Sequence, residues 1–208
     1  MGNPIYISYA TKDTPYVDEM KTHLLPTLKH FGLEYDIEYP EDKGTWLQNT
    51  GYKMEFILKM LKKHKRPIIF LDADAEIWQY PELFDNIPLV FDIAVHYLSW
   101  GWVWHKNREH KRRDLLSGTM YINYNEKTVK FVEDCIKEVK SNPHQWEQKS
   151  IQKVLEHHHD IITYSLPFSY ITFPNYKGEI PTHVIKEEEV VIFHTQASRK
   201  LKNRSNWK

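Results

Sequence analysis

The chain has 208 residues, 28 basic and 28 acidic side chains, and one cysteine. A formal net charge of zero gives no general attraction to a polyanion or an anionic membrane, and the lone Cys135 excludes an internal disulfide. The length suits a single domain spanning 1–208 that buries enough apolar surface to fold without cross-links. A reducing compartment is the simpler setting for one cysteine. The start, Met1 to Thr11, lacks the basic and then apolar layout of a secretory signal. The longest apolar run, Pro67 to Leu71, is far shorter than the roughly 18 residues of a membrane span. No transmembrane segment and a cytoplasmic location are therefore expected.

In chain order, Pro4 to Ala10 reads as a first strand, because I-Y-I-S-Y alternates apolar and small residues. Thr14-Pro15 reads as a helix start, with Thr14 as N-cap and Pro15 at the first helical position. Val17, Met20, Leu24 and Leu28 continue a helical stripe towards Phe31-Gly32, with a kink expected at Pro26. Leu33 to Tyr39 is a short strand and Gly44 to Gly51 a loop. Tyr52 to His64 is helical, with Met54, Ile57, Leu58 and Leu61 on one face and a basic end that suits the helix dipole. Pro67 to Leu71 has no polar face, which marks a strand buried on both sides in the middle of an α/β sheet.

After Glu76 the chain is rich in turns around Pro81 and Pro88. Val90 to Tyr97 and Leu116 to Tyr124 read as strands, and Asn125 caps a helix to Lys140. Glu147 to His157 is a further helix, and the three histidines at 157 to 159 read as its solvated end. Asp160 to Tyr164, Tyr170 to Phe173 and Val190 to His194 are the remaining strands. Strands alternating with helices define one α/β domain with a mostly parallel mixed sheet.

Asp72 and Asp74 leave the apolar strand one residue apart. Ligands of open α/β sheets bind beyond the carboxyl ends of the strands, and residues at i and i+2 of an extended chain point the same way. Two hard oxygen ligands suit Mg²⁺ or Mn²⁺, ions that commonly share their shell with substrate phosphates. The plain alternative is a solvated pair of loop carboxylates.

The segment R-P-I-I-F-L-D-A-D-A-E-I, followed by P-E-L-F, resembles the D-x-D segment of nucleotide-sugar glycosyltransferases with the GT-A fold. In that family the carboxylates hold a divalent metal that bridges the diphosphate of the donor. The resemblance implies a three-layer, GT-A-like domain with a nucleotide-binding half over about 1–76 and an acceptor half over about 77–208. It implies a metal-dependent sugar transfer from a nucleotide sugar, a UDP-sugar in the first instance. It places Tyr9, Ala10 and Thr11 at the nucleoside, and Asp72 with Ala73 at the donor.

The upstream G-T-W-L-Q-N-T-G-Y-K-M-E-F-I-L resembles the segment preceding the motif in small enzymes of this kind and brings Lys53 near the donor. L-L-S-G-T-M-Y-I-N resembles the strand lining the acceptor side of the sugar pocket, with Ser117 and Gly118 as its candidates. W-E-Q-K-S resembles an acidic-Gln pair opening a helix, so Glu147 and Gln148 are candidates to contact the donor sugar. V-V-I-F-H-T-Q-A-S-R-K-L resembles the last strand of retaining, glycogenin-like members. That likeness makes His194 the third metal ligand beside Asp72 and Asp74, and puts Arg199 or Lys200 at the diphosphate. Where such members carry a glycine and a Lys-Pro-Trp-like run after the His, this chain reads A-S-R-K-L.

Each candidate has a structural alternative. His194 reads equally as a part-buried strand end, Glu147 and Gln148 as a polar first turn, and Lys53 as a surface lysine. Ser99 to Arg113 carries three tryptophans and five Lys or Arg. Trp100 and Trp102 alternate and are candidates for a saccharide acceptor, while the interleaved cations suit a DNA acceptor such as a modified base. Two other functions fit parts of the chain. One is a metal-dependent phosphohydrolase or nuclease. The other is a nucleic-acid-binding module built on Trp100 to Arg113.

Overall fold

The computed structural model describes residues 3–99 and 113–201. Its strands are β1 (Ile5–Tyr9), β2 (Tyr35–Glu38), β3 (Ile68–Leu71), β4 (Ala75–Ile77), β5 (Ile93–Ser99), β6 (Arg113–Ile122), β7 (Thr163–Ser165) and β8 (Ile192–His194). Six of them form a sheet in the order β2-β1-β3-β6-β5-β7, and β4 pairs with β8 apart from it. Within the large sheet β6 alone runs against the other strands. The helices are α1 (Tyr16–Glu19), α2 (Leu25–His30), α3 (Trp46–Gly51), α4 (Lys53–His64), α5 (Leu83–Asn86), α6 (Glu126–Ser141), α7 (Glu147–His157) and α8 (Ala197–Leu201).

β3 shows why the architecture has three layers. Ile68 and Phe70 face one side and pack with Met54, Phe56, Ile57, Phe131, Val132 and Ile151, from α4, α6 and α7. Ile69 and Leu71 face the other side and pack with Met20, Leu24 and Leu28, and with Ile77 and Ile192 of the β4–β8 pair. All four β3 side chains are at most 1% exposed, as the lack of a polar face requires. Among the described residues no helix is long and apolar enough to cross a membrane.

Several elements differ from expectation for identifiable reasons. Residues 46–51 are helical, not loop. Thr45 accepts from the Gln48 N–H at 3.2 Å while Gln48 Oε1 accepts from the Thr45 N–H at 2.9 Å, a reciprocal cap written in the sequence as T-x-x-Q. Thr14 caps nothing forward; its hydroxyl donates back to the Thr11 carbonyl at 2.7 Å, and the cap position falls to Pro15. The kink expected at Pro26 takes the form of a π turn over Met20–Leu24. Pro26 has no N–H to return one turn back and its ring crowds that carbonyl, so the ladder widens just before it. Tyr170 to Phe173, bracketed by Pro167 and Pro174, forms a 3₁₀ turn at Phe168–Tyr170 and a single bridge from Thr172 to Phe193. His158 is not solvated: it packs on the Phe131 ring, and its Nε2 lies 3.3 Å from Asp134 Oδ2.

Asp92 ties β5, the start of α6 and the segment before β7 together. Its buried carboxylate accepts from the Ile162 N–H at 2.9 Å, Lys127 Nζ at 2.7 Å and Asn125 Nδ2 at 2.8 Å. Burial alone would raise its pKa, but these donors outweigh burial and hold it below the ordinary carboxylate value. A depressed folded pKa contributes stability that is complete above the unfolded value, about 4, and is lost as pH falls through the folded value. Asp92→Asn is therefore expected to cost about 2 kcal/mol at pH 7. In urea melts that gap should close steadily below pH 4; a gap independent of pH would show that the charge is not what stabilises.

Candidate active site

The site begins where β3 ends. The Asp72 N–H donates to the Gly118 carbonyl at 2.8 Å, the last rung between β3 and β6. The chain then turns, with the Ala75 N–H donating to the Asp72 carbonyl at 3.0 Å, and enters β4. β4 pairs antiparallel with β8, Ala75 opposite His194, and the Thr195 N–H donates to the Asp74 carbonyl at 3.0 Å. This short ladder brings His194, 120 residues along the chain, to 3.4 Å between its Nδ1 and Asp74 Oδ1. One ligand atom each from Asp72, Asp74 and His194 lie within 4.8 Å of one another. Among the described residues no second such cluster is present.

β6 supplies the floor. Its pairing with β5 shifts between Ala94 and His96, whose partners are Tyr121 and Leu116, so 117–120 lie across the irregularity. Bulges of this kind re-aim side chains beside functional sites. Thr119 Oγ1 meets His194 Nε2 at 2.9 Å. Gly118 lies directly under the triad: a Cβ there would stand 3.0 Å from His194 Cε1 and 3.2 Å from Asp72 Oδ2. The backbone needs no unusual torsion at this position; it is the space that excludes a side chain. Gly118→Ala is expected to weaken Mn²⁺ binding about tenfold or more, read by isothermal titration, because the ligand set must shift to admit the methyl group. Unchanged affinity would mean that the triad does not bind the ion as a unit.

Lys53 opens α4 and is 3% exposed. Its Nζ lies 3.0 Å from Asp72 Oδ1 and 2.9 Å from Glu147 Oε1, and it donates to Ser117 Oγ at 3.1 Å and the Ser117 carbonyl at 3.2 Å. The Ser117 hydroxyl donates to Glu147 Oε1 at 3.0 Å. Burial disfavours the ammonium, but Asp72 and Glu147 outweigh it and raise the Lys53 pKa, so the lysine is a cation. The two aspartates diverge. At Asp72, desolvation at the cleft wall together with the Asp74 and Glu147 charges outweighs Lys53 and leaves it above the ordinary value. At Asp74 burial is offset by the His194 ring, the Ala197 N–H at 2.9 Å and Lys53, which together hold it below that value.

These groups line a cleft of about 410 Å³. Tyr9, Ala10, Thr11, Lys53, Asp72, Ala73, Asp74, Ser117, Gly118, Glu147, Gln148, His194 and Arg199 all border it. Arg199 lies with its guanidinium 5.8 Å from the Phe173 ring centre and donates to the Pro174 carbonyl at 3.4 Å. Ser117 is buried in the Lys53–Glu147 network and Gly118 under the triad, so both belong to the ion-pair end of the cleft. Trp100, Trp102 and the side chain of Lys200 lie outside the described residues. The cleft also has a wall that the motifs did not announce, made by Tyr16, Trp46, Asn49, Trp146 and Gln196. Gln196 adopts a positive φ of 58°, uncommon for a side chain-bearing residue, between β8 and α8. Aromatic richness was the signal for Trp46 and Trp146, but their contact with each other is a tertiary fact.

The fold is the three-layer GT-A-like arrangement of glycosyltransferases, with the cleft at the carboxyl ends of β1 and β3. One similar solved structure is a glycosyltransferase involved in the glycosylation of the major capsid of PBCV-1. It has a TM-score of 0.66 at 14% identity, over 96% of this chain and 98% of that one. Mouse xyloside xylosyltransferase 1 gives 0.57 at 12% identity, over 94% and 98% of the two chains. The bifunctional glycosyltransferase WbbM gives 0.61 at 12% identity, over 93% of this chain and 45% of that larger one. No protein-family model and no curated protein matches the sequence. At these identities the likeness is one of fold.

Proposed function

We propose that the protein is a metal-dependent glycosyltransferase that moves a sugar from a nucleotide-diphosphate donor, a UDP-sugar, to an acceptor hydroxyl. The observation that carries this reading is the convergence of Asp72, Asp74 and His194 over Gly118 in the cleft of a glycosyltransferase fold. Two carboxylates and one imidazole suit Mn²⁺ or Mg²⁺, and the missing Cβ leaves the space such an ion needs. The bound ion would offset the negative charge that grows on the departing diphosphate.

The chain's own residues do the rest. With Nδ1 of His194 as its ligand atom, Nε2–H donates to Thr119 Oγ1, which sets the tautomer and ring angle. Lys53 holds Asp72 and Glu147 in place. Arg199, and Lys200 beside it in sequence, supply cations to the diphosphate. Tyr9, Ala10 and Thr11 flank the nucleoside. Tyr9 is fixed there by its hydroxyl, which donates to the Asn49 carbonyl at 2.8 Å. Glu147 and Gln148 face the donor sugar.

Retention of configuration is the proposed outcome. The acidic side chains among the described lining are Asp72, Asp74 and Glu147. Two are assigned to the ion and the third is locked to Lys53, which leaves none to deprotonate an acceptor for inverting attack. Proton NMR of the fresh product should therefore show the anomeric configuration of the donor; inversion would mean that another base acts. The donor is found by a thermal-shift screen of nucleotide sugars with and without Mn²⁺, since a ligand of the native state raises Tm by mass action. A shift with UDP-sugars only when Mn²⁺ is present is expected. No shift with any nucleotide sugar would remove the reading.

A further inference from the structure

The cleft that holds the triad is also lined by an exposed indole. Tyr80, Leu89, Val90, Trp146, Ile162 and Tyr176 are the large apolar side chains that stay exposed among the described residues. Of these, Trp146 alone borders the cleft. It is 51% exposed, so about half of a large indole is left unburied where a closed packing would have gained from covering it.

The ring is also held in place. Trp146 is the N-cap residue of α7 in extended conformation, one position before the buried Glu147 that is locked to Lys53. Its ring meets Trp46 edge to face, with centres 6.3 Å apart and planes at 84°. Trp46 in turn opens α3 and donates from Nε1 to the Tyr16 hydroxyl at 3.2 Å. Two perpendicular indoles, tied to the ends of two helices, make a corner in the lining of the cleft.

We propose that this corner is the acceptor subsite, and that the acceptor presents a pyranose ring that stacks on Trp146. This rests on the glycosyltransferase reading of the same cleft. A pyranose has an apolar face of C–H bonds and a rim of hydroxyls, which fits an indole beside Gln148 and the Glu147 end of the ion-pair network. A nucleic-acid acceptor would need cations for its phosphates next to the stacking ring. The described lining instead carries three carboxylates against Lys53 and Arg199, with Lys53 already paired.

The test is saturation-transfer NMR on the whole protein, with and without UDP and Mn²⁺. The probes are methyl β-D-glucopyranoside, methyl β-D-galactopyranoside, methyl β-D-xylopyranoside and a single-stranded hexathymidylate. Transfer to the ring-face protons of at least one pyranoside is expected, at least fivefold weaker in Trp146→Ala and in the gentler Trp146→Leu. The Tm rise with UDP and Mn²⁺ is expected to survive in both variants, which separates an acceptor role from a donor role and from misfolding.

Equal transfer in the variants would overturn the assignment. So would no pyranoside signal from a wild type that binds UDP, loss of UDP binding in the variants, or transfer to the oligonucleotide alone. If UDP with Mn²⁺ does not bind the wild type, the glycosyltransferase reading fails. The pyranoside arm without nucleotide then still decides whether Trp146 holds a sugar ring.

Discussion

Lys53→Met is expected to lower the unfolding free energy by about 3–5 kcal/mol, because it leaves two carboxylates facing one another without their shared cation. For a chain of this size that corresponds to a fall in Tm of roughly 10 °C. The methionine fills the aliphatic volume of lysine, so the loss is electrostatic and not a cavity. Glu147 is the exposed point of this argument: its side chain is 8% exposed and its Oε1 takes both Lys53 and the Ser117 hydroxyl. Adding Glu147→Gln to Lys53→Met should recover a substantial part of the lost stability, since the second buried charge is then gone. Asp72 can tolerate the loss better, because 39% of its side chain faces the cleft. Urea melts of the four species close the cycle. A single-variant loss under about 1 kcal/mol, with no recovery in the double variant, would mean that the network is solvated in solution.

Asp74→Asn separates stability from function. The substitution is expected to lower the Tm of the metal-free protein only modestly at neutral pH, by the contribution of a carboxylate that its partners hold below its ordinary pKa. Asparagine retains an oxygen to accept from the Ala197 N–H, which holds the start of α8 in place. The same change should abolish the additional Tm rise given by Mn²⁺ with a UDP-sugar and lower transfer by about 10²–10³-fold, the size of losing one well-placed electrostatic group. Full transfer by Asp74→Asn at saturating Mn²⁺ would exclude the triad from the reaction.

Both predictions depend on contacts between segments far apart in the chain, and this marks the boundary of what could be read linearly. β3 was legible because burial on both faces demands apolar residues at every position, and P-I-I-F-L satisfies that. α6 was legible because Asn125 and the stripe beginning at Val129 state a cap and a period together. α3 was written in T-x-x-Q, yet its glycine-flanked shortness masked it. β4 could not be foreseen: three residues have no period, and its partner β8 is formed only when the end of the chain returns.

The order of residues alone determined that two carboxylates would emerge from a buried strand into a site at the sheet's carboxyl edge, and it singled out His194 and Lys53 as chemistry worth placing. Only the tertiary structure decided what they meet. Lys53 proved to be the buried cation between Asp72 and Glu147. Gly118 proved to be the space beneath the triad, and Trp146 an exposed ring lining the same cleft. The physical reason is range: period, capping and burial act over a few residues and are encoded locally. The pairing of charges and the packing of rings depend on distances that exist only once β4 has met β8 and α7 has closed on α3.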